Sequence, residues 1–402
     1  MMLIRPTASQ FLSELFRSAL QAVNGDIAVA HHLKHHPVVD KVAVLAIGKA
    51  AAAMMRGADQ VLKKQIQSAL VITKAGHCDS SLHWPCLQAG HPVPDQHSLD
   101  AGIKLLEFLH NLPATLHLLV LVSGGASALV EVLPEGMQLR DLQKLNQWLL
   151  ASGFPIETMN RVRQSLSKIK GGKLLEHVGC KTITQLLISD VQSDDPAIIG
   201  SGLFVISDQG LALPKLPGDL GKFLQPSANR SSISVNSYIV ANNEKACQAV
   251  IAEARKANVE ATYHGQSLYG DVFALARSLA AELKQASAGI HVWGGETTLT
   301  LPDSPGRGGR NQSLALALAL ELQGIRGITV LVGASDGSDG PTEDAGAIID
   351  GETVTRTEAF AGEAKQQLAA ADAGRFLATA GVLLSTGPTG TNVMDLVIAL
   401  KE

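Results

Sequence analysis

Residues 330–346 read VLVGASDGSDGPTEDAG, with four carboxylates (Asp336, Asp339, Glu343 and Asp344) set among glycines after an apolar run. Like charges this close repel, so a positive or proton-bearing group belongs beside them. A second acidic loop, ISDVQSDDP, places Asp190 at a strand end with Asp194 and Asp195 a turn later, and GGETT contributes Glu296. Carboxylates without accompanying His/Cys clusters suit Mg²⁺, which binds through one or two of them plus substrate phosphates.

Anion-holding groups are the counterpart. VSGGASAL offers Ser123, Gly124, Gly125 and Ser127 between a strand and a helix start, a good nest for phosphate or carboxylate. It is no nucleophile elbow, which needs G-x-S-x-G. AIGKAA puts Lys49 just past a strand, although the P-loop spacing fails at Ala43 and Ala50. SPGRGGRNQSLALAL carries Arg307 and Arg310 on a glycine-rich loop that opens a helix, and Arg310 is the sharper phosphate clamp. GRGGRN lacks the last glycine of a dinucleotide fingerprint and does not directly follow a strand. Together these are the parts of phosphoryl transfer, where catalysis is positioning and charge neutralisation.

Other polar clusters read more plainly. NRVRQSLSKIKGGKL stacks Arg161, Arg163, Lys168, Lys170 and Lys173, which predicts a solvated helix face ended by glycine. Two Cys and four His within GHCDSSLHWPCLQAGHPVPDQH match no ordinary zinc spacing, and HHLKHH reads as a solvated helix face or turn. Cys78, Cys86, Cys180 and Cys247 predict no disulfide framework in 402 residues.

The elements that must position these groups alternate between short apolar runs and longer helical patterns, the form of an α/β protein. Strands are expected at 41–48, 69–74, 117–125 and 182–191, with helices near 138–152 and 156–176. A Pro/Gly/Ser-rich stretch at 213–233 is the best domain boundary, and a second series opens at SYIVANN. Two domains follow, 1–235 and 236–402. Strands that end in VSGGAS, ISDV, WGGETT, GASDG and LSTGPTGTN argue for a crevice at their carboxyl ends.

Composition narrows the class. Hydrophobic residues make up 46% and charged ones 17%, which fits a well-buried protein, and the net charge of −4 offers nothing to nucleic acid. The amphipathic start, with Thr7 or Ser9 as N-cap, is not a signal peptide, and no apolar run is long enough to span a bilayer. A cytoplasmic location and no membrane partner are expected.

AIGKAA, GHPVPD, LVSGGASAL, MNRVRQSLSKIKGGKL, ISDVQSDDP, GGETTLTL, GRGGRNQSLAL, ASDGSDGPTEDAG and TGPTGTNVMDL run in order along the chain. At these motifs it resembles the type II glycerate kinases, the glycerate 2-kinase family whose C-terminal part is called MOFRL. The resemblance implies two three-layer α/β/α domains, a larger N-terminal Rossmann-like one and a smaller mixed-sheet one, with the active site in a cleft between them. It also implies ATP- and Mg²⁺-dependent phosphorylation of D-glycerate, expected on the 2-hydroxyl; a homo-oligomer is compatible with it. Carried over by motif, Lys49, Arg310 and Asp190 would be catalytic. Ser123, Gly124, Gly125, Ser127, Asn311 and Thr386 would bind substrate or phosphate. Asp336, Asp339 and Glu296 would meet metal or orient the hydroxyl, roles the motif does not separate. Gln192-Ser193, Leu203 and GASDGSDG depart from the family's usual Pro-Gly, Pro and GTDGxDG forms. Family members have also been labelled hydroxypyruvate reductases, and a non-catalytic binder of small anions shares the same nests; both remain alternatives.

Overall fold

The computed structural model describes residues 7–154, 156–206, 213–228, 233–361 and 363–402. The chain begins with helices α1 (Ala8–Ala22) and α2 (Gly25–His35), strand β1 (Val42–Ile47) and helix α3 (Ala51–Leu62). Strands β2 (Ile66–Lys74) and β3 (Cys86–Ala89), helix α4 (Gln96–His110) and strand β4 (His117–Val122) follow. Next come α5 (Ala126–Leu129), α6 (Leu139–Ala151), α7 (Ile156–Ser165), β5 (Thr182–Ile188) and β6 (Ser234–Ala241). The later elements are α8 (Asn243–Lys256), β7 (Ala261–Gln266), β8 (Gly270–Asp271), α9 (Val272–Gln285), β9 (Gly289–Gly295) and β10 (Thr297–Thr298). They continue through α10 (Arg310–Glu321), β11 (Ile328–Ala334), β12 (Gly346–Asp350) and α11 (Thr353–Ala361). Helices α12 (Ala364–Ala369) and α13 (Ala373–Thr379) and strands β13 (Leu383–Leu384) and β14 (Asp395–Lys401) end the series.

These elements form two compact units. Within residues 24–240 six strands lie in the order β3-β2-β1-β4-β5-β6, and β1 to β5 pair in parallel. That is the order of doubly wound nucleotide-binding sheets, and it reverses direction between β1 and β4. Every residue of β1 is buried, as expected of a central parallel strand covered on both faces. Leu45, Ile47, Val120 and Val122 meet Leu105, Leu109 and Leu129 in its main core. A satellite core joins Leu142, Leu145 and Leu149 of α6 to Val162 of α7, Leu220 and Phe223.

The other unit is built on a mixed sheet, β13-β12-β11-β14-β9-β7, antiparallel except where β7 pairs with β9. A small parallel ladder pairs β8 with β10. Helix α10 is buried from Asn311 to Ala319, all round its axis, which marks an interior helix.

The division departs from the expected 1–235 and 236–402 at both ends of the first unit. Thr7 caps α1 in a capping box with Gln10, and Leu12, Leu15, Phe16 and Ala19 form its buried stripe. That stripe packs on α8, β11 and β14, so α1 belongs with the second sheet. Phe16 can approach β11 because Gly333 has no Cβ, which would stand 2.9 Å from Phe16 Cζ. SYIVANN lies partly in β6, the last strand of the first sheet, and does not open the second. Residues 229–232 of the expected boundary lie outside the described residues.

Two further expectations are corrected. Cys78 and Cys86 form a disulfide, so one short loop is bridged, while Cys180 and Cys247 are free and buried. The helix expected over 156–176 ends at Ser165, and its basic residues are not a solvated face: Lys170 and Lys173 are buried.

Candidate functional site

The reversal point of the parallel sheet carries the first group of expected residues. Beyond β1 the chain turns at Gly48, whose φ is +132°, and Lys49 follows. Beyond β4 come Ser123, Gly124 and Gly125. The two turns are tied together: Lys49 N donates to Gly124 O at 2.9 Å, and Ser123 N donates to Ile47 O at 3.0 Å. Ala50 N donates to Ser123 Oγ at 3.0 Å, and Thr73 Oγ1 donates to Gly48 O at 2.9 Å. Ser123 is therefore wholly buried, and its hydroxyl serves the turn rather than lining a pocket as expected.

Gly125 has φ +86° and opens α5. A Cβ there would stand 3.0 Å from His91 Cδ2 and 3.2 Å from Lys49 Cγ, so Lys49, His91 and Gly125 converge. Gly125 and Ser127 line a cavity of about 250 Å³ with His91, Asn146, Arg163 and Lys170. Ser127 Oγ lies 2.8 Å from Ser201 Oγ, which in turn meets Asn160 Oδ1 at 3.2 Å. Arg163 Nε donates to Asn146 Oδ1 at 3.3 Å, and burial pushes its guanidinium down from the ordinary value. Lys170 is paired with Glu131, both only 2% exposed, and Ser167 donates to the same carboxylate. Asp190 stands two residues past β5, the strand beside β4.

His91, Asn146 and Arg163 were not singled out from sequence. His91 sits in GHPVPD and Arg163 in the basic run, but nothing in the chain's order says which basic residues turn toward a cavity.

The second group surrounds the start of α10. Arg310 is gripped by Asp395, with Nε to Oδ2 at 2.6 Å and Nη2 to Oδ1 at 3.0 Å, and by Glu296 Oε1 at 2.8 Å. Burial alone lowers the guanidinium, but the charge and hydrogen bonds of Asp395 outweigh it and hold Arg310 protonated. Asp395 is 1% exposed, and its sequence signal is a lone carboxylate opening the apolar strand DLVIALK.

Asp339 answers the question of the acidic loop in part. No side chain caps α10 locally; instead Asn311 N donates to Asp339 Oδ1 at 3.0 Å and Gln312 N to Oδ2 at 2.8 Å. The positive helix end thus supplies the missing partner. Burial raises Asp339 to about 6, against the pull of those amides. Each oxygen accepts one backbone amide, so Asp339 caps α10. Asp344 accepts from Arg307 at 3.1 Å and from Ser385, while Asp336 accepts from Ser338 N at 3.0 Å.

Asn311 Nδ2 also reaches Asp339, at 3.4 Å, while its Oδ1 and the Oε1 of Gln312 are buried without a hydrogen-bond partner. Thr386 Oγ1 donates to Gly387 O at 2.9 Å. That loop packs on the acidic one, since a Cβ on Gly337 would stand 2.1 Å from Gly387 O. The structure therefore gathers Lys49, Gly125 and Ser127 in one unit and Arg310, Glu296, Asn311 and Asp339 in the other. Among the described residues no three His, Cys, Asp or Glu side chains are placed to hold one metal ion. No described helix is long and apolar enough to cross a membrane.

Comparison with known proteins places this geometry. Residues 11–212 match the family model described as a domain of unknown function (DUF4147), and residues 289–395 match the MOFRL family. The D-glycerate 2-kinase of Thermotoga maritima is 34% identical, over 96% of this chain and 97% of its own length. The chain belongs to the glycerate 2-kinase (MOFRL) family. A family member from Agrobacterium vitis, named putative hydroxypyruvate reductase, is 32% identical over 97% of this chain and 94% of its own. A crystal structure of glycerate kinase from Thermotoga maritima superposes with a TM-score of 0.86 at 33% identity, covering 98% of this chain and 99% of that one.

Proposed function

We propose that this family member is a glycerate 2-kinase, which moves the γ-phosphoryl group of ATP to the 2-hydroxyl of D-glycerate. The observation that carries the reading is the locked turn pair at the sheet's reversal point, where Gly125, with Lys49 packed beside it, lines a cavity walled by Arg163 and Asn146. A small hydroxy acid suits that cavity, its carboxylate on Arg163 and its hydroxyls toward Ser127 and His91. Lys49 and Arg310 are the proposed charge-stabilising groups, and Asp190 the group that orients the attacking hydroxyl. The hydroxyl oxygen bonds to the γ-phosphorus as its proton passes to the Asp190 carboxylate, the bond to the bridging oxygen breaks, and ADP leaves with that electron pair.

The donor set does not build a resident magnesium cage, because Asp339 is spent on amides and Glu296 on Arg310. It fits an ion carried in on nucleotide phosphates, with Asp336 adding an oxygen. Such an ion supplies neutralisation of phosphate charge.

The test is ADP release by purified protein with ATP, Mg²⁺ and D-glycerate, with phosphorus NMR to separate 2- from 3-phosphoglycerate. Lys49→Ala should cut kcat about 10²–10³-fold, the size of a lost transition-state donor. Oxidation of NADH on hydroxypyruvate with ATP left untouched would overturn the kinase reading in favour of the reductase. Binding of glycerate without turnover would make the chain a binder.

A further inference from the structure

The basic stretch around α7 contains more cation than the cavity beside Lys49 uses. Arg161 and Arg163 are two residues apart, about 200° around the helix, so they face opposite sides. Arg163 and Lys170 line the cavity described above. Arg161 and Lys173 line a different one of about 230 Å³, walled also by Gln164, Ser165, Gln225 and Ser227. Arg161 Nη1 is buried with no hydrogen-bond partner, a costly state for a charged donor. Lys173 Nζ donates to Gln164 O at 2.6 Å and Ser167 O at 2.9 Å, which leaves its third hydrogen unassigned by either bond. No Asp or Glu lines this cavity among the described residues.

Two cations, one with a buried unsatisfied donor, face amides and hydroxyls, and the acids whose charge reaches Lys173, Glu131 and Glu176, stand outside the cavity lining. The volume equals about eight water molecules, too large for a halide and enough for a compact organic anion. A tetrahedral dianion can meet the planar guanidinium and the ammonium at once. We propose that this cavity is a second anion site, separate from the one that holds the phosphoryl acceptor, and that it binds a small phosphate-bearing molecule through Arg161 and Lys173. Because Arg161 and Arg163 share α7, occupancy of this site bears directly on the helix that presents Arg163 to the other.

The experiment titrates the full chain with inorganic phosphate and, separately, with glycerol 3-phosphate, in the absence of nucleotide and glycerate, by calorimetry. Arg161→Gln should weaken one binding event about ten- to hundredfold, the range for a lost charged hydrogen bond. Arg163→Gln should leave that event in place. Ser227→Asp, at an exposed wall position outside helix and strand, should weaken it likewise by repulsion. Tighter binding of the ester identifies a phosphorylated metabolite, and equal binding identifies free phosphate; both support the site. Isotherms of Arg161→Gln and Ser227→Asp that match the parent would overturn it, as would loss of the event in Arg163→Gln alone.

Discussion

Gly48→Ala tests whether the turn pair positions Lys49. At φ +132° an L side chain is strained, which costs about 1–3 kcal/mol. The added Cβ would stand 2.2 Å from Ser123 Oγ and 2.5 Å from Ser123 O, where ordinary contact begins near 3.4 Å. The turns must therefore separate by about an ångström. Ser123 is fully buried and bonded on both sides, so it cannot simply rotate away. Overpacking of this kind adds about 1–3 kcal/mol. A combined loss of about 2–6 kcal/mol is a large share of a domain's usual 5–15. An ångström of misplacement at a catalytic group costs about a hundredfold in rate. Urea unfolding followed by tryptophan fluorescence reads the first quantity, and kcat/KM for ADP release the second. Gly76→Ala is the control: its φ is +80° but nothing lies within 4 Å of the new Cβ, so strain alone should cost about 1 kcal/mol with turnover intact. If Gly48→Ala behaves like Gly76→Ala in both assays, the turn does not hold Lys49.

Arg163→Gln should raise KM for glycerate about ten- to hundredfold with a smaller change in kcat; a drop confined to kcat would mean Arg163 does not bind the ground-state carboxylate. Asp339 has a folded pKa of about 6 against 3.8 unfolded, so the folded unit holds the extra proton between those values. Its contribution is full below about pH 4 and is lost as pH rises through 6, on the order of 3 kcal/mol. Unfolding followed at Trp293, compared with Asp339→Asn across that window, reads the change; a flat or rising gap would show that the amides win instead. Burial raises the thiol of Cys247 to about 12, so iodoacetamide at pH 8 should not label it in the native protein. Rapid labelling without denaturant would contradict its place in the core.

The placement of the glycine-bearing turns was legible because they sit at strand ends. β1, β4, β9 and β11 are continuous apolar runs that stop at glycine-bearing turns, and such runs leave few choices for where a ligand approaches. What escaped depended on tertiary direction. The alternation of Arg161 and Arg163 is visible as spacing, but burial of Lys170 and Lys173 follows from Glu131 and the carbonyls they meet, 6 to 39 residues away. The role of Asp339 depends on an amide pair 27 and 28 residues earlier in the chain. The reach of α1 into a sheet made mostly of residues beyond 260 has no local signature at all.

That last placement bears on the order in which the protein assembles. As the chain leaves the ribosome, the apolar stripe of α1 emerges ahead of both sheets, and its seat on β11 and β14 is completed more than 300 residues later. The 24–240 sheet can close in the meantime, leaving Leu12, Leu15 and Phe16 waiting in water or shielded by a chaperone.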